Sequence, residues 1–167
     1  MGNLTHFFFR QAGILLLIVS AAGCKVVVPD VVNLPQLAAE SALAAAGYSM
    51  SVNEYGSLTA TGTAEAPVIF TGAEAVPGYW DGLRFYNSNS ESNMLSYVKV
   101  EFGGGYFDAN LYVTGSAANP TQIHATHCAF ENSAQWGVLL KGVVEVNEDM
   151  GAVNSFSGNA AGDIEGL

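Results

Sequence analysis

Short runs in which apolar residues alternate with small or polar ones fill most of the chain after residue 48. Examples are VIFTG from Val68, YVKVEF from Tyr97 and GVLL from Gly137. A period of two residues is typical of strands that bury one face, and the glycines between the runs predict turns. We therefore expect an all-β domain over residues 48–167.

Four similar segments in this region each end in phenylalanine. They are APVIF, VKVEF, THCAF and AVNSF, which end at Phe70, Phe102, Phe130 and Phe156 and lie 26–32 residues apart. Glycine or asparagine follows two residues after each phenylalanine. A repeat of this length, holding two or three short strands, indicates a solenoid in which the phenylalanines form one inward column.

A second set of segments recurs with nearly the same spacing, namely GLRFYNS from Gly82, NLYVTGS from Asn110 and GVLLKG from Gly137. Stacking them predicts two inward columns: Leu83, Leu111 and Val138, then Phe85, Val113 and Leu140. The phenylalanine segments would likewise align Val100, Cys128 and Asn154. We predict a short right-handed parallel β-helix of about four coils, spaced about 4.8 Å apart. A β-sandwich, which also has many short strands, is the alternative.

The segments GSLTATGTAEAPVIFTG, PGYWDGLRFYNS, NMLSYVKVEFGGG and NSFSGN also resemble coils of a known family. It is the right-handed parallel β-helix repeat family of secreted bacterial proteins and lipoproteins, and the resemblance covers about residues 50–160. The resemblance implies a fold but no activity, because β-helices carry lyases, glycosidases, adhesins and inert scaffolds alike.

The first 24 residues read MGNLTHFFFRQAGILLLIVSAAGC. The apolar stretch 13–22 is shorter than the ~20 residues that span a bilayer, and small residues lead into Cys24. This resembles a bacterial lipobox, which implies a signal peptide over 1–23 and a lipid on Cys24. An ordinary signal peptide and an uncleaved membrane helix are the alternatives. Lys25, where inner-membrane retention would need aspartate, favours the outer membrane or the cell surface within the cell envelope.

A linker over 24–34 and a helix over 35–47 are expected next, since Pro35 suits the first helical turn and Gly47 a helix end. The stretch 28–48, VPDVVNLPQLAAESALAAAGY, resembles the first half of a PASTA repeat, which implies peptidoglycan binding. The alternative, which we favour, is a linker followed by a helix that caps the solenoid.

Charge excludes several partners. The chain has 5 Lys and Arg residues against 15 Asp and Glu, a net charge of −10. Nucleic-acid binding needs clustered cations, so we expect none, and polyanionic sugars are disfavoured for the same reason. With Cys24 lipidated, Cys128 has no partner, so we expect a buried core thiol rather than a disulfide.

No residues form a convincing catalytic or metal site. His124 and His127 are three residues apart, which puts them on opposite faces of a strand, with His127 outward and His124 inward or at a corner. The predicted register sets Glu101 opposite Ala129, so no stacked acid pair is expected with Glu131. We predict no catalytic residue, no metal and no cofactor. The asparagines are expected to bond turn backbone groups, and they are Asn132, Asn154 and Asn159.

The strongest surface candidate is an outward face. It comprises Arg84, Tyr112 and Leu139, with Tyr86, Thr114 and Lys141 beside them. Tyr86 and Tyr112 could stack on sugar rings and Arg84 could bond hydroxyls, although Tyr and Thr also favour exposed strand positions in general. The leading hypothesis is a non-catalytic, lipid-anchored scaffold or binding surface for glycans or cell-wall components. The alternative is a carbohydrate-active enzyme, a polysaccharide lyase or glycosidase, or a truncated remnant of one.

The C-terminal segment NAAGDIEGL shows no device that would cover the last coil. Unpaired strand edges invite pairing with other chains. We therefore expect self-association through the C-terminal coil, around Ile164, or continuation into a longer solenoid.

Overall fold

A computed structural model describes residues 7–11, 14–18, 50–147 and 149–166 of the chain. Strands β1 (Phe7–Gln11) and β2 (Ile14–Ile18) form an antiparallel pair. The predicted lipidation residue Cys24, the predicted linker 24–34 and the predicted helix 35–47 lie outside the described residues. No helix in the described part of the chain is long and apolar enough to cross a membrane.

From Met50 onward the chain builds three parallel sheets. Sheet I contains β3 (Met50–Val52), β6 (Leu83–Tyr86), β9 (Ala109–Gly115), β12 (Trp136–Gly142) and β15 (Gly162–Glu165). Sheet II contains β4 (Thr59–Thr61), β7 (Met94–Ser96), β10 (Thr121–Thr126) and β13 (Val144–Val146). Sheet III contains β5 (Val68–Thr71), β8 (Val98–Glu101), β11 (Ala129–Glu131) and β14 (Ser155–Ser157). A single turn of helix, α1 (Met150–Val153), precedes β14.

The chain visits sheets I, II and III in order and then returns to sheet I. Each inner strand of a sheet therefore pairs in parallel with the strand one coil earlier and the strand one coil later. Since sheets II and III have four strands each, the chain makes about three turns between their first and last strands. The predicted all-β parallel solenoid is confirmed, and the β-sandwich is not observed.

The inward columns of sheet I follow the predicted register. Leu111 pairs with Leu83 on one side and with Val138 on the other, and the second column aligns Phe85, Val113 and Leu140 in the same way. Leu83, Leu111 and Val138 are fully buried. One alternating face per strand is enough to fill the core, because the coils bring like residues over one another.

The phenylalanine column of sheet III differs from the prediction in one coil. Val100, not Phe102, pairs with both Phe70 and Phe130, and Phe130 stacks on Phe156 with ring centroids 5.5 Å apart. The predicted place of Phe102 in the core is wrong. Residues 100 and 102 are two positions apart, so the alternation of apolar and polar residues predicts both to face inward and cannot show which one lies in the column.

Val100 is correspondingly not aligned with Cys128. Ala129 pairs with Lys99, which puts Cys128 level with Val98, the residue two positions before Val100. The predicted alignment of Cys128 with Asn154 is consistent with the pairing of Ala129 and Ser155. The error in the predicted alignment of sheet III is thus confined to the second coil.

Single residues in the left-handed conformation form two of the corners. Phe102, Asn132 and Gly158 follow sheet III with φ of 61°, 53° and 66°. Tyr97 and His127 separate sheets II and III with φ of 51° and 56°, and their rings stack at 4.8 Å. Glycine and asparagine accept this conformation readily, whereas a phenylalanine there is unusual.

Asparagine side chains tie successive coils together at these corners. Asn154 Oδ1 accepts from the amide of Cys128 at 2.8 Å, and its Nδ2 donates to the carbonyl of Ala125 at 2.8 Å. Asn159 does the same with the amide of Ser133 and the carbonyl of Phe130. The expectation that Asn154 and Asn159 bond turn backbone groups is confirmed.

Candidate binding surface on the outer face of sheet I

The outward face of sheet I carries the predicted candidate residues side by side. Arg84 pairs with Tyr112, and Tyr112 pairs with Leu139. Tyr86 and Lys141 both pair with Thr114 in the next outward column. The structure therefore brings together Arg84, Tyr86 and Tyr112, as the alternation of the three strands predicts.

Phe107 adds an aromatic ring that is not among the candidates predicted from the alternation of the strands. It belongs to the connection between β8 and β9 and lies against the outer face of sheet I. The guanidinium carbon of Arg84 is 5.0 Å from the centroid of the Phe107 ring and 4.5 Å from that of Tyr86. Both distances are within the range of cation–π attraction, so two rings hold the Arg84 cation.

The stack continues beyond Phe107. The rings of Phe107 and Tyr112 are 5.6 Å apart and nearly parallel, at 7°. Lys141 Nζ lies 5.6 Å from the Tyr112 centroid. Tyr106, which is 78% exposed, packs edge-on against Phe107 at 5.2 Å. We name the aromatic–cationic strip by its five members, which are Tyr86, Arg84, Phe107, Tyr112 and Lys141.

Backbone hydrogen bonds fix the loop that carries Phe107. The amide of Tyr106 donates to Asp81 Oδ1 at 3.2 Å, and the amide of Gly105 donates to the carbonyl of Trp80 at 3.0 Å. The buried side chain of Asn110 accepts from the amide of Gly103 at 2.8 Å. The loop is thus tied to its neighbours before and after Phe107, which positions the ring over Arg84.

Arg84 has no acidic partner among the described residues. Its Nε atom is buried and donates no hydrogen bond. The ion pairs found in that part of the chain both belong to Lys99. The Arg84 guanidinium thus contacts two rings and pairs with no described carboxylate, although the chain has a net charge of −10.

The strip has an exposed residue at each end and half-buried residues between them. Tyr86 is 41% exposed, and Lys141 is exposed, whereas Arg84, Phe107 and Tyr112 are half-buried. Leu139 points to the same outer face yet is only 4% exposed. The half-buried side chains are held in place, so their rings and charges have little freedom to lose when a ligand binds.

A second polar cluster lies on the outer face of sheet III. Glu101 pairs with Glu131, and Lys99 Nζ contacts one carboxylate oxygen of each, at 2.8 Å and 3.2 Å. The predicted placement of Glu101 opposite Ala129 is wrong, because the two-residue shift that misplaced Phe102 also misplaced Glu101. A stacked acid pair does exist, and a lysine bridges it.

The hydrogen bond to Glu101 is the main cause that holds the pKa of Lys99 above its ordinary value. Burial opposes this shift, and Glu131 adds to it. The ammonium group therefore stays protonated at neutral pH and cannot serve there as a general base. Its role in this geometry is to neutralise two facing carboxylates.

Other polar candidates do not assemble into a site. His124 and His127 are both exposed, so the inward or corner position expected for His124 is wrong. Within residues 50–147 and 149–166 no group of three His, Cys, Asp or Glu side chains could hold a metal ion. Cys128 is buried, and that burial raises the pKa of its thiol to about 11.

Two features of these surfaces had weak signals in the sequence. Phe107 follows Tyr106 in a glycine-rich connection, and two adjacent aromatics outside a strand could have marked a covered face. A repeat of 30 residues in the second coil aligns Glu101 with Glu131, two positions after Lys99 on the same strand. Comparison with family models, curated proteins and solved structures finds no match to this chain.

Proposed function

We propose that this chain is a lipid-anchored protein of the cell envelope whose non-catalytic β-solenoid presents the aromatic–cationic strip to glycans or other cell-wall components. One observation carries the proposal. The Arg84 guanidinium lies within cation–π distance of the rings of both Tyr86 and Phe107, and no acidic side chain in the described part of the chain pairs with it.

The chemistry of the strip suits sugars. Aromatic side chains offer flat apolar faces at little cost in side-chain entropy, and tyrosine adds a hydroxyl that can bond to polar ligands. Four of the five members of the strip lie on three neighbouring strands of a sheet, and hydrogen bonds fix the loop that carries the fifth, Phe107. Rigid elements hold binding groups more accurately than free loops. Few charges compete for the ligand, since acids and bases make up 12% of the chain.

The anchoring part of the proposal rests on the sequence. The resemblance of residues 1–24 to a lipobox supports a lipid on Cys24, which would make the membrane a partner and favour the outer membrane or cell surface. A multiply acylated cysteine anchors stably because each buried methylene adds about 0.8 kcal/mol. The PASTA-like stretch 28–48 supports peptidoglycan among the candidate ligands.

Two finer features of the fold belong to the same proposal. We take the solenoid to be right-handed, since crossovers between parallel strands of one sheet are right-handed in ≈ 98% of cases. We also take the helix expected at 35–47 to cover the first coil, because Leu37 and Leu43 give it an apolar face and an uncovered edge would invite pairing.

A binding experiment tests the function. The purified chain is incubated with insoluble peptidoglycan and with a panel of immobilised glycans, and the bound fraction is measured. Tyr112→Ala should weaken binding at least about tenfold, since Tyr112 contacts both Phe107 and Lys141. Tyr55→Ala is the matched control, because Tyr55 is 84% exposed and lies outside the strip. No binding to any glycan, or equal losses in both variants, would contradict the proposal.

The carbohydrate-active enzyme remains a second candidate because of the Lys99 cluster. Two stacked glutamates are the type of pair that glycosidases use. Lys99 weakens this interpretation, since its protonated ammonium neutralises both carboxylates. Release of shorter sugars from polysaccharides by the wild-type chain, abolished by Glu101→Gln or Glu131→Gln, would favour the enzyme over the binding protein.

A further inference from the structure

We infer that the aromatic–cationic strip selects glycans that carry isolated carboxylate groups, with Arg84 as the residue that binds the carboxylate. This inference rests on the proposed function and names the ligand class for the same surface. It follows from the way in which the Arg84 guanidinium is held.

A guanidinium group is planar and offers two faces and an edge. Tyr86 and Phe107 both lie within cation–π distance of Arg84. Its Nε atom is buried and has no partner, so a ligand cannot approach from that side. The two terminal Nη groups remain, and they form the fork that binds a carboxylate with two parallel hydrogen bonds. Arg84 is therefore oriented for an end-on carboxylate.

Lys99 differs from Arg84 in having acidic partners within the solenoid. Lys99 is bonded to two glutamates on its own sheet face, which satisfy its charge. No acid among the described residues forms an ion pair with Arg84. Among the described residues this cation contacts rings and no anion, so its charge is available to an external carboxylate.

The number of cations limits the charge of the ligand. Lys141 lies on the far side of Tyr112, two strand spacings from Arg84, which is about 10 Å across the sheet. Two cations suit one or two carboxylates separated by neutral sugar units. A polyanion with a charge on every unit would meet repulsion from a chain of net charge −10. The ligand class is thus a mainly neutral glycan with isolated acidic sugars.

Two matched oligosaccharides test the inference. One is a β-1,4-linked tetrasaccharide with a single glucuronate, and the other has glucose at that position. The full chain in detergent should bind the acidic sugar about tenfold more tightly at low salt, and added salt should reduce this preference. Arg84→Gln should remove the preference, because the guanidinium that binds the carboxylate is lost while the rings remain. Tyr112→Ala should weaken binding of both sugars.

The outcomes separate the inference from the function on which it rests. Equal binding of the two tetrasaccharides by the wild-type chain would overturn the inference and leave glycan binding standing. Binding of neither sugar, together with no binding to the glycan panel, would overturn both. An unchanged preference in Arg84→Gln, with a thermal unfolding midpoint like that of the wild type, would show that another residue binds the carboxylate and would overturn the role of Arg84. Lys99→Gln is the control for loss of a positive charge elsewhere.

Discussion

Glu101 and Glu131 lie side by side on neighbouring strands of sheet III, and each places one carboxylate oxygen on the ammonium group of Lys99. Like charges that face each other across strands repel, so the lysine is needed to keep this pair together. The cluster links two successive coils on the outside of the solenoid.

Replacing Lys99 should therefore destabilise the fold modestly. We expect Lys99→Met to lower the free energy of unfolding by about 1 kcal/mol at neutral pH, since the pair is partly exposed and screened by solvent. Urea unfolding measures the change. Lys141→Met is the control, because it removes a lysine that has no ion pair among the described residues. Equal effects of the two substitutions would contradict a stabilising role for the cluster.

The effect of Lys99 should also depend on pH in a defined direction. Its pKa in the folded chain is raised above the ordinary 10.5, so the ion pair contributes fully below that value. The contribution disappears as the pH rises through the raised pKa and the ammonium loses its proton. The difference between wild type and Lys99→Met should thus be constant from neutral pH to about pH 10 and shrink above it.

Phe130 and Phe102 should respond very differently to truncation. Phe130 is fully buried and stacks on Phe156, so Phe130→Ala should cost about 3–5 kcal/mol. Phe102 sits in a left-handed turn with φ of 61°, where glycine is favoured. Phe102→Gly should change stability by less than about 1 kcal/mol, because relief of backbone strain offsets the lost contacts. Similar losses in both variants, measured by urea unfolding, would show that Phe102 belongs to the core.

Cys128 should be chemically inert in the folded chain. Its burial and its pKa of about 11 keep the thiol protonated and inaccessible at mildly alkaline pH. In a Cys24→Ser variant, where Cys128 is the remaining thiol, we expect no reaction with a thiol reagent at about pH 8 and full reaction after unfolding in urea. Fast labelling of the folded protein would mean that the third coil opens readily.

Cys24 is expected to carry the membrane anchor. Cys24→Ala should abolish incorporation of labelled fatty acid and release the protein from the membrane fraction, because its thiol is the proposed lipid attachment point. Cys128→Ala provides the matched control, since it removes a cysteine that the solenoid buries. Unchanged labelling in Cys24→Ala would contradict the lipoprotein interpretation.

The last described strands are expected either to promote self-association or to continue into a longer solenoid. Strands β13, β14 and β15 each have one hydrogen-bonded neighbour among the described strands, and Ile164 is only half-buried. We expect Ile164→Lys to weaken association, because a charge beside an open edge discourages pairing. Sedimentation at several concentrations measures it. A wild-type chain that stays monomeric at high concentration, with amides of 150–160 protected from exchange, would contradict this expectation.

The parts of the fold that could be predicted from the sequence are those where the repeat has a clear register. In sheet I, Leu83, Leu111 and Val138 follow glycine or asparagine at constant offsets, so the columns and the outward candidates Arg84, Tyr86 and Tyr112 were placed correctly. In sheet III the repeated phenylalanine misled the alignment, because Phe102 ends a segment that looks like the others while occupying a turn.

The rest depends on contacts that no local pattern encodes. The ring of Phe107 reaches Arg84 only because the loop after β8 is bonded to Trp80 and Asp81, residues more than 20 positions earlier. The Lys99 cluster depends on how β8 aligns with β11. An error of two residues in that alignment separates Glu101 from Glu131. Long loops and exact register are set by the whole structure rather than by alternation.

Members of the aromatic–cationic strip lie on three successive strands, with Arg84 on β6, Tyr112 on β9 and Lys141 on β12, so each of these coils contributes one rung. A relative that gained or lost a whole coil would lengthen or shorten this surface by about 4.8 Å without disturbing the remaining rungs. Duplication or loss of a segment of roughly 30 residues would then change the length of ligand that the strip fits, while the chemistry of each rung stays the same.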